Sequence, residues 1–392
     1  MVRNVSADYI FPINSEPIKN GIVSIAPDGE IIGLYPSGSP DLKEQPVEHH
    51  DGILVPGFVN AHCHLELSHL HQKIPVKEGL IPFIQHVMDK RKTSDEKGIN
   101  EAMVRADQMM ADNGIVAVGD ISNTGASIPL KQKSSIYYHT FIELLGFFPD
   151  NASTVFTAGQ ELRKQFNGLP SSIAPHSPYS ISKDLFKIIR KYCDDNDNIL
   201  TIHNQESEEE NKFFRYKKGG FPGFFETLKQ DIDFFKPQAR NSIQTIIPLM
   251  PENCPILLVH NTYTSLKDIY FIRRFGRQIT WCFCPNANLY IEDRIPKIEM
   301  FLTHNFNITL GTDSLASNDQ LCMLSEIKVI QDRFPGIPLN RALSWATLNG
   351  ARFLGIDNKF GSLETGKKPG LNLITNVVNS KLSADSKVKR IL

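Results

Sequence analysis

Short apolar runs alternate with longer amphipathic stretches through most of this 392-residue chain. The apolar runs lie at residues 53–64, 115–122, 136–146, 172–178, 199–206, 256–263, 279–285 and 308–314. The clearest amphipathic stretches lie at residues 101–113, 183–192 and 339–354. A near-continuous apolar run is typical of a parallel strand buried on both faces, and the amphipathic stretches predict the helices that cover it. The eight repeats of strand and helix predict a closed (β/α)8 barrel.

A doubly wound open sheet is the alternative arrangement for alternating strands and helices. Sheets of that kind that bind dinucleotides carry the pattern G-x-G-x-x-G directly after a strand. No apolar run of this sequence is followed by that pattern. The barrel is therefore the fold that the sequence favours.

The two ends of the chain carry a different pattern, with shorter apolar runs broken by turn residues. Residues 21–35 hold two apolar runs around an Asp-Gly turn, which predicts a β-hairpin. The segment from Gly361 onward has the same character, because a Gly- and Pro-containing turn is followed by an apolar run. We therefore expect residues 1–56 and 361–392 to form one small β domain beside a metal-dependent barrel at residues 57–360.

Composition and charge indicate a protein that acts on a small molecule. Hydrophobic residues make up 41% of the chain, and 42 basic residues against 43 acidic ones leave a formal charge of -1. Such a chain has no global field that attracts nucleic acid or a membrane surface. The N-terminus lacks the regions of a signal peptide, and no apolar run approaches the roughly 18 residues of a membrane helix. The six cysteines are dispersed, so we expect reduced thiols and a cytoplasmic protein.

Two histidines stand at the end of the first apolar run, in the sequence NAHCHLE at residues 60–66. Side chains of a strand alternate between its faces, so His62 and His64 point the same way at a spacing of roughly 7 Å. Two imidazoles on one face can converge on one metal ion from the end of the strand. If the strand continued, Glu66 would share that face.

Further metal-competent side chains follow four of the later runs. His176 ends the fourth run, His203 and Glu206 end the fifth, His260 ends the sixth and Asp313 ends the eighth. In a barrel all of these ends open onto one mouth, which is where barrel enzymes keep their active sites. One histidine at a strand end is usually structural, but five histidines and a carboxylate at such ends predict a functional site.

These motifs resemble the amidohydrolase superfamily, in the branch of nucleobase and nucleoside deaminases and chlorohydrolases. The matching stretches follow one another through nearly the whole chain: PGFVNAHCHLE, APHSPYS, IHNQESEEE, LLVHN, CPNANL, LGTDSLASN and GSLETGKKPGLNLI. The stretch NAHCHLELS is most similar to that of the aminodeoxyfutalosine deaminases of menaquinone biosynthesis. One departure lies at residues 368–371, where relatives carry an Ala-Asp pair, and it concerns the small β domain rather than the metal site.

The resemblance implies one divalent metal ion, zinc or else iron, with four ligands: His62, His64, His203 and Asp313. It also implies that Glu206 is the acid/base group and that His260, together with Asp313, orients and deprotonates the attacking water. The fourth run has no lysine near its end, which argues against the binuclear branch that carries a carbamylated lysine. Relatives are often dimers, so a homodimer is expected.

The chemistry of this residue set suits hydrolytic deamination. Three imidazoles and one carboxylate bind a borderline metal and leave room for water, whose pKa the ion lowers from about 15.7 to roughly 7. A hydroxide ion formed in this way would attack a ring carbon that carries an amino group. Glu206 would protonate the ring nitrogen and pass a proton to the departing ammonia, and a positioned proton transfer contributes about 10²–10⁴-fold.

We expect a 6-aminopurine nucleoside as the substrate, with 6-aminodeoxyfutalosine first. His176 stands where related adenosine-type deaminases contact their substrate. Glu66 has two open interpretations, as an acceptor for a substrate NH or ribose hydroxyl or as a residue that supports the start of a helix. The aromatic connection at residues 207–255 is interpreted as a substrate lid or as an extra helix outside the barrel. Alternative reactions are deamination of S-adenosylhomocysteine, methylthioadenosine or guanine, and hydrolytic dechlorination.

Two hypotheses from other functional classes remain. A catalytically inactive barrel that only binds ligands is disfavoured, because every expected metal ligand and the acid/base residue are present. A nucleic-acid deaminase of the cytidine type is opposed by the absence of an H-x-E motif paired with P-C-x-x-C and by the neutral charge.

Overall fold

The computed structural model describes residues 2–42, 45–379 and 381–392, and strands and helices alternate through its middle part. Five strands precede the barrel: β1 Arg3–Ile10, β2 Ile18–Lys19, β3 Ile22–Ile25, β4 Ile31–Tyr35 and β5 Glu48–Pro56. Eight form the barrel: β6 Phe58–Cys63, β7 Ile115–Ser122, β8 Tyr137–Leu144, β9 Ser171–Pro175, β10 Leu200–Asn204, β11 Ile256–His260, β12 Ile279–Phe283 and β13 Asn307–Leu310. Two follow the barrel: β14 Leu371–Val378 and β15 Lys381–Arg390.

The helices lie mainly between the barrel strands. The α-helices of the described residues are α1 Leu80–Lys92, α2 Glu96–Asp112, α3 Ile128–Lys131, α4 Ala152–Gln165, α5 Lys183–Asp195, α6 Glu208–Tyr216, α7 Gly220–Thr227, α8 Ser242–Ile246, α9 Leu266–Ile272, α10 Pro285–Glu292, α11 Ile298–Leu302, α12 Met323–Arg333, α13 Leu339–Trp345 and α14 Leu348–Phe353. Short 3-10 helices lie at Pro40–Leu42, Leu65–Leu70, Pro149–Asn151, Pro178–Ser180, Ile247–Leu249 and Arg273–Phe275.

The eight central strands form two parallel halves of a barrel. β6 to β9 pair in sequence order as one four-stranded sheet, and β10 to β13 pair in the same way as a second. At one seam, the amide of His203 donates a hydrogen bond of 2.9 Å to the carbonyl oxygen of His176. At the other seam, the amides of Thr312 and Asp313 each lie 3.1 Å from the carbonyl oxygen of His62. The two seams therefore join the halves at the carboxyl ends of their strands.

A glycine allows the last strand to approach the first at this seam. A Cβ atom added to Gly311 would lie 2.8 Å from both the Cβ and the carbonyl oxygen of His62. Real Cβ atoms do not come that close, so a larger residue at position 311 would push the chain after β13 away from β6. The close approach brings Asp313 beside the histidines of the first strand.

The small sheet is built from both ends of the chain. Its seven strands run in the order β15-β14-β5-β1-β3-β4, with β2 on the edge of β1. β1 and β5 are parallel, and β14 pairs antiparallel with β5, so a C-terminal strand completes an N-terminal sheet. The predicted hairpin is the antiparallel pair β3 and β4. The predicted fold class, a (β/α)8 barrel with a small β domain formed from both chain ends, is confirmed.

Two element predictions need correction. The apolar run at residues 53–64 is not one strand, because β5 ends at Pro56 in the small sheet and β6 begins at Phe58 in the barrel. Gly57 lies between them and leaves no room for a side chain, since an added Cβ would lie 2.4 Å from a methyl carbon of Val116. The amphipathic stretch at residues 339–354 is likewise divided into α13 and α14.

The core lies inside the barrel wall and between the strands and helices. Trp281 and Phe283 on β12 are fully buried and pack against Phe301, with ring centroids 4.7 and 5.1 Å away. Burial of large apolar side chains of this kind is the main driving force for packing the helices on the barrel. None of the helices in the described part of the chain combines the length and apolar character that crossing a membrane requires.

Candidate active site

The polar residues singled out in the sequence lie at the carboxyl ends of the barrel strands. His62 lies in β6, and His64 directly follows that strand. His203 is the fourth of the five residues of β10, and His260 is the last residue of β11. Asp313 follows β13. Because the ends of parallel barrel strands share one rim, side chains far apart in the sequence meet there.

The backbone turns sharply where several of these side chains leave their strands. His260 has a φ angle of 70°, Asp313 one of 56° and Gln205, beside Glu206, one of 46°. Non-glycine residues in this left-handed region cost of order 1–3 kcal/mol each and cluster at functional sites. The packed barrel stabilises these turns, which direct the side chains into the mouth.

Three imidazole nitrogens and one carboxylate oxygen converge at the rim. Nε2 of His64 lies 3.2 Å from Nε2 of His62 and 3.1 Å from Nε2 of His203. Oδ1 of Asp313 lies 3.5 Å from Nε2 of His64 and 3.6 Å from Nε2 of His62. The second carboxylate oxygen, Oδ2, accepts a hydrogen bond of 2.5 Å from Ser317, which orients Oδ1 toward the histidines.

The proton positions on these rings fit a bound cation better than mutual hydrogen bonds. Nδ1 of His203 lies 2.7 Å from the carbonyl oxygen of His176, which only accepts, so Nδ1 carries the proton and Nε2 offers a lone pair. Nε2 of His64 holds at most one proton and cannot donate to both neighbouring rings. Burial lowers the pKa of His62, of His203 and of His64, the last to about 3, so the rings are neutral at pH 7. Neutral imidazoles and a carboxylate are donors that bind divalent transition metals.

Glu206 and His260 face each other beside this cluster. Oε1 of Glu206 lies 3.6 Å from Nε2 of His260, and both side chains are buried. Burial raises the pKa of Glu206 well above its ordinary value, and the negative charge of Asp313 raises it further. Nδ1 of His260 lies 3.4 Å from the side-chain amide nitrogen of Asn288. A buried carboxyl group that keeps its proton is suited to donating it to a ligand.

Glu143 is a member of the site that the sequence analysis missed. Glu143 is the residue before Leu144, the last residue of β8. Its Oε1 lies 2.6 Å from Nδ1 of His176 and 3.7 Å from Nδ1 of His203. Its Oε2 accepts a hydrogen bond of 2.9 Å from Nδ2 of Asn123. Burial raises the pKa of Glu143, but the two histidines and His64 outweigh burial and hold this pKa below its ordinary value. The signal that could have found it is a carboxylate at the end of the third apolar run.

Glu66 does not lie where strand alternation predicted. β6 ends at Cys63 and a 3-10 helix begins at Leu65, so the alternation stops before Glu66. Its carboxylate accepts hydrogen bonds from the amide of Asn123 and from the amide and hydroxyl of Thr124, at 2.9 to 3.2 Å. The strand on which Glu66 would share the face of the histidines therefore does not continue to it, and Glu66 lies in the first turn of the 3-10 helix. Its contacts are with the segment that follows β7 and with Arg91 of α1, whose guanidinium lies 3.9 Å from Oε2.

A cavity of about 560 Å³ opens over the cluster. The site residues His64, His176, Glu206 and Asp313 line its polar end, and most of the remaining wall is apolar. This volume falls within the roughly 300–1,000 Å³ of small-molecule sites. The cavity therefore has room for a ligand that extends well beyond the reacting group.

The aromatic connection at residues 207–255 contains the helices α6, α7 and α8 and a 3-10 helix, and it also reaches the cavity. Its phenylalanines on α6 and α7 pack in one cluster with Phe147 and Tyr179, which follow β8 and β9. Phe224 and Phe225 line the cavity directly. The helices α6 and α7 of this connection thus form a wall of the mouth, with their phenylalanine side chains buried in the cluster.

Three curated relatives share the chain over most of its length. An adenosine deaminase of Helicobacter pylori is 26% identical over 90% of this chain and 85% of its own length. A 5-methylthioadenosine/S-adenosylhomocysteine deaminase of Moorella thermoacetica is 24% identical over 93% of this chain and 83% of its own. An aminodeoxyfutalosine deaminase of a Nitratiruptor species is 25% identical over 88% of this chain and 82% of its own.

Comparison with solved structures gives the fold of the chain, and comparison with family models gives its family. The crystal structure of Helicobacter pylori aminofutalosine deaminase in complex with methylthio-coformycin superposes with a TM-score of 0.82, covering 100% of both chains at 22% identity. The model of the amidohydrolase family matches residues 53–390. That match spans all eight barrel strands and the rim on which the histidines and Asp313 meet, and so this chain is a hydrolytic enzyme of the amidohydrolase family.

Proposed function

We propose that this enzyme is a metal-dependent deaminase of a 6-aminopurine nucleoside, with 6-aminodeoxyfutalosine as the first candidate substrate. The observation that carries the proposal is the cluster of His62, His64, His203 and Asp313, in which neighbouring donor atoms lie 3.1 to 3.6 Å apart. Glu206 lies beside this cluster, and the cavity above it is large enough for a nucleoside. The curated relatives named above are deaminases of adenosine-type nucleosides, which supports the same reaction class.

The metal ion in this proposal is one divalent cation, zinc or else iron. Its ligands are Nε2 of His62, His64 and His203 and Oδ1 of Asp313. When bound, the cation supplies Lewis acidity, which makes a water molecule acidic enough to act as a nucleophile near neutral pH. The protein supplies the donor geometry, and Ser317 fixes the carboxylate through its hydrogen bond to Oδ2 of Asp313.

The reaction replaces the exocyclic amino group of the purine by an oxygen atom from water. Glu206 gives its proton to the neighbouring ring nitrogen as the C–O bond forms at the ring carbon. His260 and Asp313 hold the water and accept one of its protons, since both line the cavity beside Glu206 and burial lowers the pKa of His260, which leaves its ring neutral and able to accept. The proton of the new hydroxyl group then passes through Glu206 to the amino group, the C–N bond breaks with its electron pair on the departing ammonia, and a ring carbonyl remains. The proton held by His260 and Asp313 restores Glu206.

The substrate assignment has a preferred and a second candidate. His176 lines the cavity beside the cluster, where it would contact the purine or the ribose. The motif NAHCHLELS and the Nitratiruptor relative favour 6-aminodeoxyfutalosine, which would place the enzyme in menaquinone biosynthesis. Methylthioadenosine and S-adenosylhomocysteine are the second candidate, since the Moorella relative is named as a deaminase of these two compounds. Glu66 has no part in this proposal, because its carboxylate is bound by Asn123 and Thr124.

The direct test is ammonia release by the zinc-loaded protein with a panel of substrates. The panel holds 6-aminodeoxyfutalosine, methylthioadenosine, S-adenosylhomocysteine, adenosine, guanine and a chlorotriazine. The proposal expects the highest kcat/KM with an adenine nucleoside. Release of ammonia from guanine alone, dechlorination alone, or activity with none of them would overturn it.

A further inference from the structure

One face of α1 forms a wall of the cavity. The side chains that line the cavity fall on one helical face, at offsets of 3, 4, 7, 8 and 11 residues from the first: Leu80, Phe83, Ile84, Val87, Met88 and Arg91. At a rise of 1.5 Å per residue this stripe is about 16 Å long. Apart from Leu80 these side chains are only partly buried, although they lie in the interior of the mouth. An apolar stripe of this kind faces a space that an apolar part of a ligand can fill.

The opposite wall is also apolar. Phe147 follows β8, and its ring stacks on that of Phe225 with centroids 4.9 Å apart. Phe224 and Leu228 line the same side from α7 and the residue that follows it. The neutral polar side chains among these walls include those of Asn151, Ser180 and Gln230.

Charged groups are concentrated at one end of the cavity. Among the described residues that line it, Glu143, Glu206 and Asp313 are the carboxylates, and all three contact histidines of the cluster or lie beside them. The arginine that lines it is Arg91, whose guanidinium lies 3.4 Å from Oδ1 of Asn123 and 3.9 Å from Oε2 of Glu66, a buried carboxylate that is not part of the lining. The lining therefore offers a ligand one cation, which Glu66 approaches to 3.9 Å, and no carboxylate outside the cluster.

From these walls and charges we infer that the arm of the cavity between α1 and α7 is the subsite for the 5′ substituent of the nucleoside. It takes an apolar alkylthio or aryl group, with at most one negative charge, which Arg91 meets. It rejects a zwitterionic amino-acid tail, because an ammonium group would lose its water without gaining a carboxylate partner on the cavity lining, and this narrows the second candidate substrate to methylthioadenosine. The inference rests on the proposed function for the position of the purine, which places the ring at the histidines and the rest of the ligand in the arm.

The first experiment measures equilibrium binding of 6-oxopurine nucleosides, which are products and need no turnover. Calorimetry with the zinc-loaded protein compares inosine, 5′-methylthioinosine and S-inosylhomocysteine. We expect the methylthio compound to bind about tenfold tighter than inosine, the lower end for one added apolar group in a fitted pocket. We expect S-inosylhomocysteine to bind at least tenfold more weakly than the methylthio compound. Equal or tighter binding of S-inosylhomocysteine overturns the inference, and so does the absence of binding by all three.

The second experiment isolates the charge of Arg91. In Arg91→Gln, binding of a 5′-(carboxyphenylthio)inosine should weaken about tenfold while binding of 5′-methylthioinosine stays the same. Lys92→Gln is the matched control, because Lys92 is the next residue on α1 and its side chain is 69% exposed. Equal weakening of both ligands, or of neither, overturns the role of Arg91.

These binding results are separable from the proposed reaction. If no nucleoside releases ammonia but the order of binding holds, the deaminase proposal fails and the subsite stands. If nucleosides are deaminated but S-adenosylhomocysteine has a kcat/KM equal to that of methylthioadenosine, the subsite inference fails and the deaminase stands.

Discussion

Glu206 follows His203 by three residues and reaches the rim through a turn rather than along the strand. Its buried carboxyl group faces Nε2 of His260 at 3.6 Å, within reach of a ligand seated at the histidines. It makes no contact with the converging nitrogens that would assign it to the cation. Its contribution is therefore expected in proton transfer alone.

The variant Glu206→Gln should retain the metal and lower kcat at least 10²-fold, because glutamine keeps the shape of the side chain but does not transfer a proton. Metal content by elemental analysis and ammonia release are measured on the same preparation. Glu208→Gln is the control, since Glu208 lies at the start of α6 and its carboxylate pairs with Arg215. Turnover at the wild-type rate in Glu206→Gln would contradict the assigned role.

Glu143 positions His176. Its two carboxylate oxygens accept from His176 and from Asn123, at 2.6 and 2.9 Å, and both partners are donors. In Glu143→Gln the amide NH2 would face one of these donors, so one contact is lost. We expect KM to rise about tenfold with a smaller change in kcat and unchanged metal content. Glu161→Gln serves as control, because the side chain of Glu161 is exposed on α4. An unchanged KM in Glu143→Gln would rule out the positioning role.

The residue scale also shows where sequence reasoning stops. His62 and His64 could be identified because an H-x-H pair at a strand end has a local pattern that needs no knowledge of the fold. Glu143 had only a weak signal, a carboxylate near the end of the third apolar run, and its role becomes clear only when Nδ1 of His176 is known to lie 2.6 Å away. Glu66 was misplaced because β6 ends three residues before it, a boundary that apolar patterning does not mark.

A buried ion pair fastens the short helix α3 to strand β7. Nζ of Lys131 lies 2.6 Å from Oδ2 of Asp120, and neither side chain is exposed. Lys131 also donates to Oγ1 of Thr140 on β8 at 2.9 Å. Oδ1 of Asp120 accepts a hydrogen bond of 2.8 Å from the amide of Leu65, the residue after His64. This pair therefore connects one helix, two strands and the segment that carries a histidine of the site.

Lys131→Met should destabilise the protein by about 3–5 kcal/mol, because it leaves the charge of Asp120 buried without its partner. The double variant Asp120→Asn/Lys131→Met should recover part of that loss, since no charge stays buried. Free energies of unfolding come from urea denaturation. The exposed Lys133→Met provides the comparison, and a Lys131→Met protein as stable as wild type would show that the pair does not matter.

The buried carboxyl group of Glu210, on α6, makes the free energy of unfolding depend on pH. Burial raises the pKa of Glu210 from 4.5 to about 7, and its Oε1 accepts from the amide of Gln205 at 3.0 Å. Between these two pH values the folded protein binds more protons than the unfolded chain, so this group lowers the free energy of unfolding as the pH rises. Below pH 4.5 the carboxyl group is protonated in both states, so it does not change the free energy of unfolding with pH.

Glu210→Gln should therefore equal wild type in stability near pH 4.5 and exceed it by about 2–3 kcal/mol at pH 8. The measurement is urea unfolding of both proteins across this range, with Glu208→Gln on the same helix as control. A stability difference that does not grow with pH would contradict the raised pKa.

At the scale of elements, the eight apolar runs predicted the barrel strands to within a few residues. The reason is physical, since a parallel strand covered on both faces must be apolar throughout. The same property concealed the boundary at Gly57, because β5 and β6 are both buried and the apolar run continues from one sheet into the next. The contribution of β14 to the small sheet is a long-range pairing, and only its general character was visible in the sequence.

At the scale of the whole molecule, the proposed cation would join the two halves of the barrel. Its ligands come from β6 and the residue after it in one half and from β10 and the turn after β13 in the other. A ligand that binds only the folded state stabilises it by RT ln(1 + [L]/Kd), about 2.7 kcal/mol at 100 times Kd. The cation is therefore expected to affect the stability of the fold as well as the reaction.

Removal of the metal by a chelator should lower the unfolding temperature and abolish ammonia release, and added zinc should restore both. Differential scanning calorimetry is the measurement. His203→Ala should show little bound metal and no response to the chelator, whereas His86→Ala, at a partly exposed position on α1, should behave as wild type. An unfolding temperature that is the same with and without zinc would contradict the placement of the site across both halves.

The central claim is that water replaces the amino group of a purine nucleoside at this rim, and isotope incorporation tests it most directly. The zinc-loaded protein is incubated with 6-aminodeoxyfutalosine or methylthioadenosine in oxygen-18 water, and the product is examined by mass spectrometry. The account predicts a 6-oxopurine nucleoside that carries one oxygen-18 atom on the purine ring and one ammonia released per product. An unchanged substrate, or a product cleaved at another bond with the 6-amino group intact, would contradict it.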